Sequence, residues 1–214
     1  MAKIYEIHPD TPQERRIEEV KEALQKGAIM LYPTDTVYAI GCDLYVKSAV
    51  ERVRQLKQLS NDKPLTFLSS SLSDISQYAW VTDSAYRLMK HLIPGPYTFL
   101  LPATKLVPKL VMSPKRKTTG IRVPDQPICQ SLINALGHPI ISTSAYLPNA
   151  NGEFPTLGLE KAKLFDALDP LVDIIIDHGL ESGVEVSTII DLTEEQPSIV
   201  RQGAGWDSVQ QWVV

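Results

Sequence analysis

Nine short apolar runs alternate with stretches whose apolar residues recur every three or four positions, and this alternation restricts the fold more than any other feature. The runs are Lys3–Ile7, Ala28–Tyr32, Leu65–Leu68, Tyr97–Leu101, Gly120–Val123, Pro139–Ser142, Val172–Ile176, Ser187–Asp191 and Ser198–Val200. Each is bounded by Gly, Pro or polar residues, which predicts strands. Between them, Ile17, Val20 and Leu24 predict one helix, and Val50, Val53 and Leu56 a second. Ala85, Leu88, Met89 and Leu92 predict a third, and Ile128, Leu132, Ile133 and Leu136 a fourth. Strands alternating with helices predict an α/β fold built on one twisted sheet. With 214 residues, 43% hydrophobic and 21% charged, the whole chain (1–214) reads as one globular domain. Asn149–Thr156, with Gly152 and Pro155, predicts a flexible loop.

Several chemistries are excluded. The longest apolar runs, Ile174–Ile176 and Phe99–Leu101, fall far short of the roughly 18 residues of a membrane span. The opening Met1-Ala2-Lys3-Ile4-Tyr5-Glu6 lacks the apolar core of a signal peptide, so a cytoplasmic protein without a membrane partner is expected. Cys42 and Cys129 form no C-x-x-C pair, and His8, His91, His138 and His178 are scattered singly, so no metal site is expected. Cys42, in a run of small residues, reads as a packing residue. No G-x-x-x-x-G-K-[ST], G-x-G-x-x-G or G-x-S-x-G occurs.

The net charge of −4 hides a strong asymmetry. From Ser84 to Pro124 there is no Asp or Glu, while Arg87, Lys90, Lys105, Lys109, Lys115, Arg116, Lys117 and Arg122 supply cations. Such a segment suits an anion, either a nucleotide phosphate or a nucleic-acid backbone, although a solvated basic face has the same composition. Lys105, Lys109, Lys115, Arg116 and Lys117 are therefore the candidate RNA or anion contacts.

Small constellations carry the remaining signal. Pro33-Thr34-Asp35-Thr36-Val37-Tyr38-Ala39-Ile40-Gly41 reads as a polar turn after a strand, able to converge on a small ligand. Pro94-Gly95-Pro96-Tyr97-Thr98 is a rigid turn before a strand. Thr118-Thr119-Gly120-Ile121-Arg122-Val123-Pro124 places a lone Arg in a strand, where burial demands a carboxylate or phosphate partner; an internal ion pair would serve as well as a ligand. Ser142-Thr143-Ser144, Ser187-Thr188 and Arg201-Gln202-Gly203-Ala204-Gly205 complete the set.

In this order the pieces resemble the YrdC-like family of threonylcarbamoyl-adenylate synthases, from Ala28 to about Gly205. Lys115 to Pro124 and Ile141-Ser142-Thr143-Ser144 with Leu147-Pro148 are similar to its YciO-type branch. The resemblance implies a strongly twisted, mixed open sheet with helices packed on it and a concave basic surface. It also implies a reaction joining threonine, bicarbonate and ATP into threonylcarbamoyl-AMP and pyrophosphate, which feeds tRNA modification. By position, Thr36, Arg122, Ser142 and Ser187 are the implied threonine contacts, and Lys57, Lys63, Thr118, Ser144 and Arg201 the implied nucleotide contacts. Lys57 and Arg122 are the implied catalytic pair, with ATP and its Mg2+ as substrate and no prosthetic group. Double-stranded RNA or tRNA, and the tRNA-modification machinery, are the implied partners. The family's K-x-R reads Lys57-Gln58-Leu59, its S-x-N reads Ser144-Ala145-Tyr146, a family His is Leu68 and the last motif reads Arg201-Gln202-Gly203. Lost phosphate contacts slow a reaction in which charge develops, so slow synthesis is expected. The alternatives are an RNA-binding module without turnover or a nucleotide-binding relic.

Overall fold

The computed structural model describes residues 1–59, 64–146, 160–181 and 183–210. Ten strands form one sheet: β1 (Lys3–Glu6), β2 (Met30–Tyr32), β3 (Ala39–Asp43), β4 (Thr66–Leu68), β5 (Tyr97–Pro102), β6 (Thr118–Arg122), β7 (Ile140–Ser144), β8 (Ile174–Asp177), β9 (Thr188–Asp191) and β10 (Ser198–Arg201). Their order is β1-β8-β2-β3-β7-β4-β6-β5-β9-β10. Parallel and antiparallel ladders both occur, for example β1 with β8 and β2 with β3, so the sheet is mixed. The helices are α1 (Glu14–Gln25), α2 (Lys47–Leu56), α3 (Leu72–Tyr78), α4 (Asp83–Leu92), α5 (Pro127–Leu136), α6 (Lys161–Leu168) and α7 (Trp206–Val209). No helix among the described residues is long and apolar enough to cross a membrane.

Local chemistry sets the helix ends. The Gln126 side chain caps α5 by accepting from the Cys129 N–H at 3.0 Å, Pro127 opens the first turn, and Gly137 closes it at φ 75°. Thr82 caps α4 by accepting from the Ala85 N–H at 3.2 Å.

Side chains alternate across a pleated sheet, and the two apolar clusters divide accordingly. Leu31, Ile40, Cys42, Phe67, Phe99, Ile121, Ile141, Ile175 and Ile190 belong to the larger cluster, packed with residues of α2, α3, α4 and α6. Met30, Tyr32, Ile140, Ile174 and Ile176 point the other way and are covered by α1 and α5 through Ile17, Val20, Leu24, Ile128, Leu132 and Ile133. Those two helices shield the β1, β8 and β2 side of that face. Among the described residues neither helix covers its continuation across β4, β6, β5 and β9, where the cleft sits.

The structure adds elements that the sequence reading lacked. Pro33–Gly41, expected to be one turn, is a turn only over its first half; Ala39–Asp43 is a fully buried central strand between β2 and β7. Helices α3 and α6 were likewise not expected. The expected loop Asn149–Thr156 lies outside the described residues. Cys42 and Cys129 are buried free thiols, each pushed up in pKa by burial, in keeping with packing roles. His178 bonds the Tyr38 hydroxyl through Nδ1 at 2.9 Å, and His138 Nε2 faces Asp43 Oδ2 at 3.5 Å.

Candidate ligand-binding cleft

Arg122 ends β6 at the edge of the open half-face, opposite Leu68 of β4. Its guanidinium is clamped from three directions: Nε donates to Gly95 O at 3.2 Å, Nη1 to Thr36 Oγ1 at 2.9 Å and Nη2 to Asp35 Oδ1 at 2.5 Å. The Arg122 and Asp35 side chains are only 7% and 10% exposed, so this is a buried ion pair. A guanidinium has five N–H groups, and these contacts use three, which leaves one on each Nη. Both alternatives raised by the sequence are thus present in one side chain: an internal pair, and two donors for a ligand.

The Thr34–Val37 turn is fixed by its own hydroxyls. Thr34 Oγ1 donates to Val37 O at 2.7 Å, accepts from the Thr36 N–H at 3.1 Å and lies 3.0 Å from Thr36 Oγ1. Gly183 packs on this turn so closely that a Cβ there would stand 1.9 Å from Thr36 O. On the far wall Ser187 Oγ lies 2.9 Å from Thr98 Oγ1, and Arg201 donates to Ser187 O from Nε at 3.0 Å and Nη2 at 2.8 Å, and to Ser187 Oγ at 3.1 Å. A Cβ at Gly203 would lie 2.3 Å from Val186 O, so the glycine lets the strand end lie flat against Ser187. Burial and the like charge of Arg122 both push the Arg201 pKa down, which places the two guanidiniums in one electrostatic environment.

These walls enclose a cleft of about 320 Å³. Thr34, Thr36, Thr66, Thr98, Ser142, Thr143, Ser144 and Ser187 bring hydroxyls to it, and Arg122 and Arg201 bring charge. No carboxylate is among its described lining residues. The apolar side consists of Leu59, Pro64, Leu65, Leu68, Val37, Val186 and Ile189 with Ala39.

Of the expected contacts, Thr36, Arg122, Ser142, Ser144, Ser187 and Arg201 meet in this one cleft. Others differ. Lys57 is 3% exposed and turned inward: its ammonium donates to Ser144 O at 2.8 Å and also to Tyr146 O, and it is not among the lining residues. Burial pushes its pKa down to about 8. Lys57 therefore holds the end of β7 in place instead of presenting a charge to a ligand. Thr118 is buried at the start of β6, four residues from Arg122, and does not line the cleft. Lys63 lies outside the described residues.

Lys105, Lys109, Lys115, Arg116 and Lys117 are all exposed. They do not share one environment: Lys109 borders an apolar hollow with Leu44, Tyr45 and Val50, while Arg116 Nη1 pairs with Asp191 Oδ2 of β9 at 3.7 Å. The segment lacks acids of its own, but the fold brings one to it.

The sequence reading assigned no role to Asp35, Gly95 or Thr98, although all three stand in motifs it had singled out. Each acts on Arg122 or Ser187, across 87, 27 and 89 residues respectively. Thr34 and Thr66 were also missed.

Among the described residues, the sheet carries a cleft lined by hydroxyls and two guanidiniums, a chemistry that suits a small, anionic, hydrogen-bonding ligand. Residues 22–203 match the family model Sua5_yciO_yrdC, described as telomere recombination. The chain belongs to this Sua5/YciO/YrdC family. It is 44% identical over 205 residues to the uncharacterised protein YciO of Escherichia coli K12, covering 96% of this chain and 97% of that one. It is 30% identical over 190 residues to a threonylcarbamoyl-AMP synthase of Vibrio vulnificus, covering 87% of this chain and 98% of the relative. Among solved structures, the crystal structure of E. coli YciO superposes with a TM-score of 0.91 at 41% identity over the whole of both chains. P. abyssi Sua5 complexed with L-threonine superposes with a TM-score of 0.85 at 27% identity, covering 99% of this chain and 62% of that one.

Proposed function

We propose that the cleft binds L-threonine and ATP and joins them with bicarbonate into threonylcarbamoyl-AMP, slowly. The observation that carries this reading is Arg122: buried, clamped by Asp35, Thr36 and Gly95, and left with one N–H on each Nη beside a cleft lined by hydroxyls. A donor on each Nη can serve the two oxygens of an amino-acid carboxylate. Thr36, Ser142 and Ser187 supply hydroxyl partners to the rest of the amino acid. The threonine nitrogen takes up the bicarbonate carbon with loss of water, and a carbamate oxygen then attacks the α-phosphorus as pyrophosphate leaves. No side-chain nucleophile is needed; positioning and fixed cations are what a protein contributes to such a transfer.

Arg201 and Ser144 serve the nucleotide side, with Lys63 as a further phosphate contact and Thr118 as a supporting position. Mg2+ arrives with ATP as part of the substrate. Lys57 acts indirectly, through the Ser144–Tyr146 carbonyls. With Leu59 on the cleft wall where the family has arginine, one charge is missing, and the synthesis is slow. In this reading the product passes to the tRNA-modification machinery in the cytoplasm.

Calorimetry with L-threonine and with ATP·Mg2+, followed by bicarbonate-dependent pyrophosphate release, tests the assignment. Wild type is expected to give heat with threonine and slow release; Arg122→Ala, checked for folding by circular dichroism, loses both. A wild type without threonine heat and without release overturns it.

A second reading is favoured by the exposure of Lys105, Lys109, Lys115, Arg116 and Lys117: contact with the phosphates of a double-stranded RNA or tRNA. Affinity for duplex RNA should then fall with salt at a log-log slope of about −0.7 to −0.9 per phosphate contacted.

A further inference from the structure

Thr98 of β5 links the two arginine walls of the cleft. The β5–β6 ladder pairs Phe99 with Ile121, and one step further along it Thr98 falls opposite Arg122, on the same face. Its methyl group is turned toward β6, since a Cβ built on Gly120 would stand 3.5 Å from Thr98 Cγ2. Its hydroxyl is turned to β9's approach, 2.9 Å from Ser187 Oγ, which in turn accepts from Arg201 Nη2 at 3.1 Å. Thr98 and Ser187 are 4% and 7% exposed, so both hydroxyls sit where an unmade hydrogen bond is costly.

Counting protons gives each wall a polarity. A hydroxyl has one proton and two lone pairs. Arg201 occupies one lone pair of Ser187, and the Thr98–Ser187 contact spends one of the pair's two protons, whichever residue gives it. Among the described residues no acceptor takes the other proton. Thr36 comes out the opposite way. Thr34 gives its proton to Val37 O, so in its 3.0 Å contact with Thr36 it accepts, and the Thr36 proton is spent there. With Arg122 Nη1 on one Thr36 lone pair, a single lone pair remains at Thr36. The cleft therefore meets a ligand with an acceptor at Thr36 and with a donor at Thr98–Ser187. The cations beside that donor, Arg122 across the ladder and Arg201 through Ser187, set the charge of the group it meets.

We propose that Thr98 and Ser187 work as one donor, placing their single unspent proton on an oxyanion of the ligand between Arg122 and Arg201. That oxyanion is a carboxylate oxygen of the amino acid or a phosphate oxygen of the nucleotide, which offer the same acceptor to the same donors. The inference rests on the reading that the cleft binds threonine and ATP. Arg201, by donating to Ser187 Oγ, polarises that hydroxyl and strengthens the donor.

The test is calorimetry on wild type, Thr98→Val, Ser187→Ala and the double variant, each with L-threonine and with inorganic pyrophosphate. Each single variant still owns one hydroxyl proton, so each is expected to weaken binding by about threefold or less. The double variant owns none and is expected to lose about 10- to 100-fold, the effect of one hydrogen bond to a charged group and more than the product of the single losses. That excess on threonine alone names the carboxylate, on pyrophosphate alone the phosphate, and on both an oxygen site that the two ligands use in turn. A double variant that binds both ligands as the wild type does, or whose loss is no greater than the product of the single losses, overturns the proposal. Replacing both partners of a hydrogen bond by apolar groups of the same shape is nearly neutral for folding, and circular dichroism checks it. Should the double variant unfold, hydroxyl-proton exchange by NMR on the wild type decides: ligand is expected to slow exchange of the pair's second proton, and an unaltered rate overturns the donor role. Binding of neither ligand by wild type overturns the reading of the cleft itself, whereas binding without the excess leaves that reading standing and removes only the donor pair.

Discussion

One face of this sheet is two different surfaces. Beneath α1 and α5 it presents Met30, Tyr32, Ile140, Ile174 and Ile176, almost entirely apolar. A few strands further on it presents Thr66, Thr98, Arg122, Ser142 and Ser187. Strand β7 crosses the boundary within itself, with Ile140 in the covered core and Ser142 and Ser144 in the cleft. The same pleat and the same alternation serve both halves; among the described residues, α1 and α5 pack over the first and not over the second. Where a helix covers the sheet, apolar burial stabilises the fold. Where none does, the strands carry polar groups that hold one another and leave donors over.

The largest expected effect is on the open half. Arg122→Ala removes one partner of a buried ion pair and leaves the Asp35 carboxylate without its cation, at a cost of about 3 to 5 kcal/mol in unfolding free energy. Threonine binding is expected to vanish as well. Urea denaturation with calorimetry checks both; an unaltered threonine affinity in a folded variant rejects the assignment. Leu132→Ala is the matching change on the covered half. It removes a fully buried side chain of α5 and should cost about 2 to 5 kcal/mol while threonine affinity stays at the wild-type value. Were Leu132→Ala to weaken binding as Arg122→Ala does, the two halves would not be independent.

Next in size is a gain. Leu59 lines the cleft as an apolar wall. Leu59→Arg should raise threonine- and bicarbonate-dependent pyrophosphate release by up to about 10²-fold, the effect of one positioned charge on a developing one. If neither protein releases pyrophosphate above background while RNA binding persists, synthesis is not this chain's activity.

How far the sequence reached follows the same boundary. The covered half was legible because its strands are apolar runs and its helices repeat at 3.6 residues; β8 and α5 fell close to the expected spans. Strand β3 was not, because Ala39-Ile40-Gly41-Cys42-Asp43 mixes small and charged residues after a polar turn. In the cleft, the family resemblance carried over position by position pointed to Thr36, Arg122, Ser142, Ser144, Ser187 and Arg201, and the fold brings these six together. The partners of Arg122 could not be found that way: Asp35 and Gly95 reach it through tertiary closure, for which a linear motif has no coordinate. Lys57 shows the opposite limit. It ends α2, and whether its side chain turns toward a ligand or under β7 depends on a rotation that spacing does not encode.

The expected effect at Lys57 is confined to alkaline pH, and it sharpens the view that this lysine is structural. Burial lowers its pKa to about 8, below the ordinary 10.5, so the folded protein releases this proton before the unfolded chain does. The sign follows: below about pH 8 both states hold the proton and the burial penalty is carried in full. Between about 8 and 10.5 the unfolded chain binds more protons, so this group's contribution to stability improves as pH rises, by at most about 1.4 kcal/mol per pH unit. A neutral amine still has two N–H groups, enough to keep its bonds to Ser144 O and Tyr146 O, so the edge of the cleft stays in place through the titration. Comparing urea midpoints of wild type and Lys57→Met from pH 7 to 10 isolates this group from the other lysines. The wild type is expected to gain on the variant as pH climbs, with threonine affinity in the wild type unchanged between pH 7 and 9. A difference independent of pH would mean that the ammonium is better solvated than its burial implies. A threonine affinity that collapses as Lys57 loses its proton would return this residue to the ligand, and with it the charge that the cleft otherwise draws from Arg122 and Arg201.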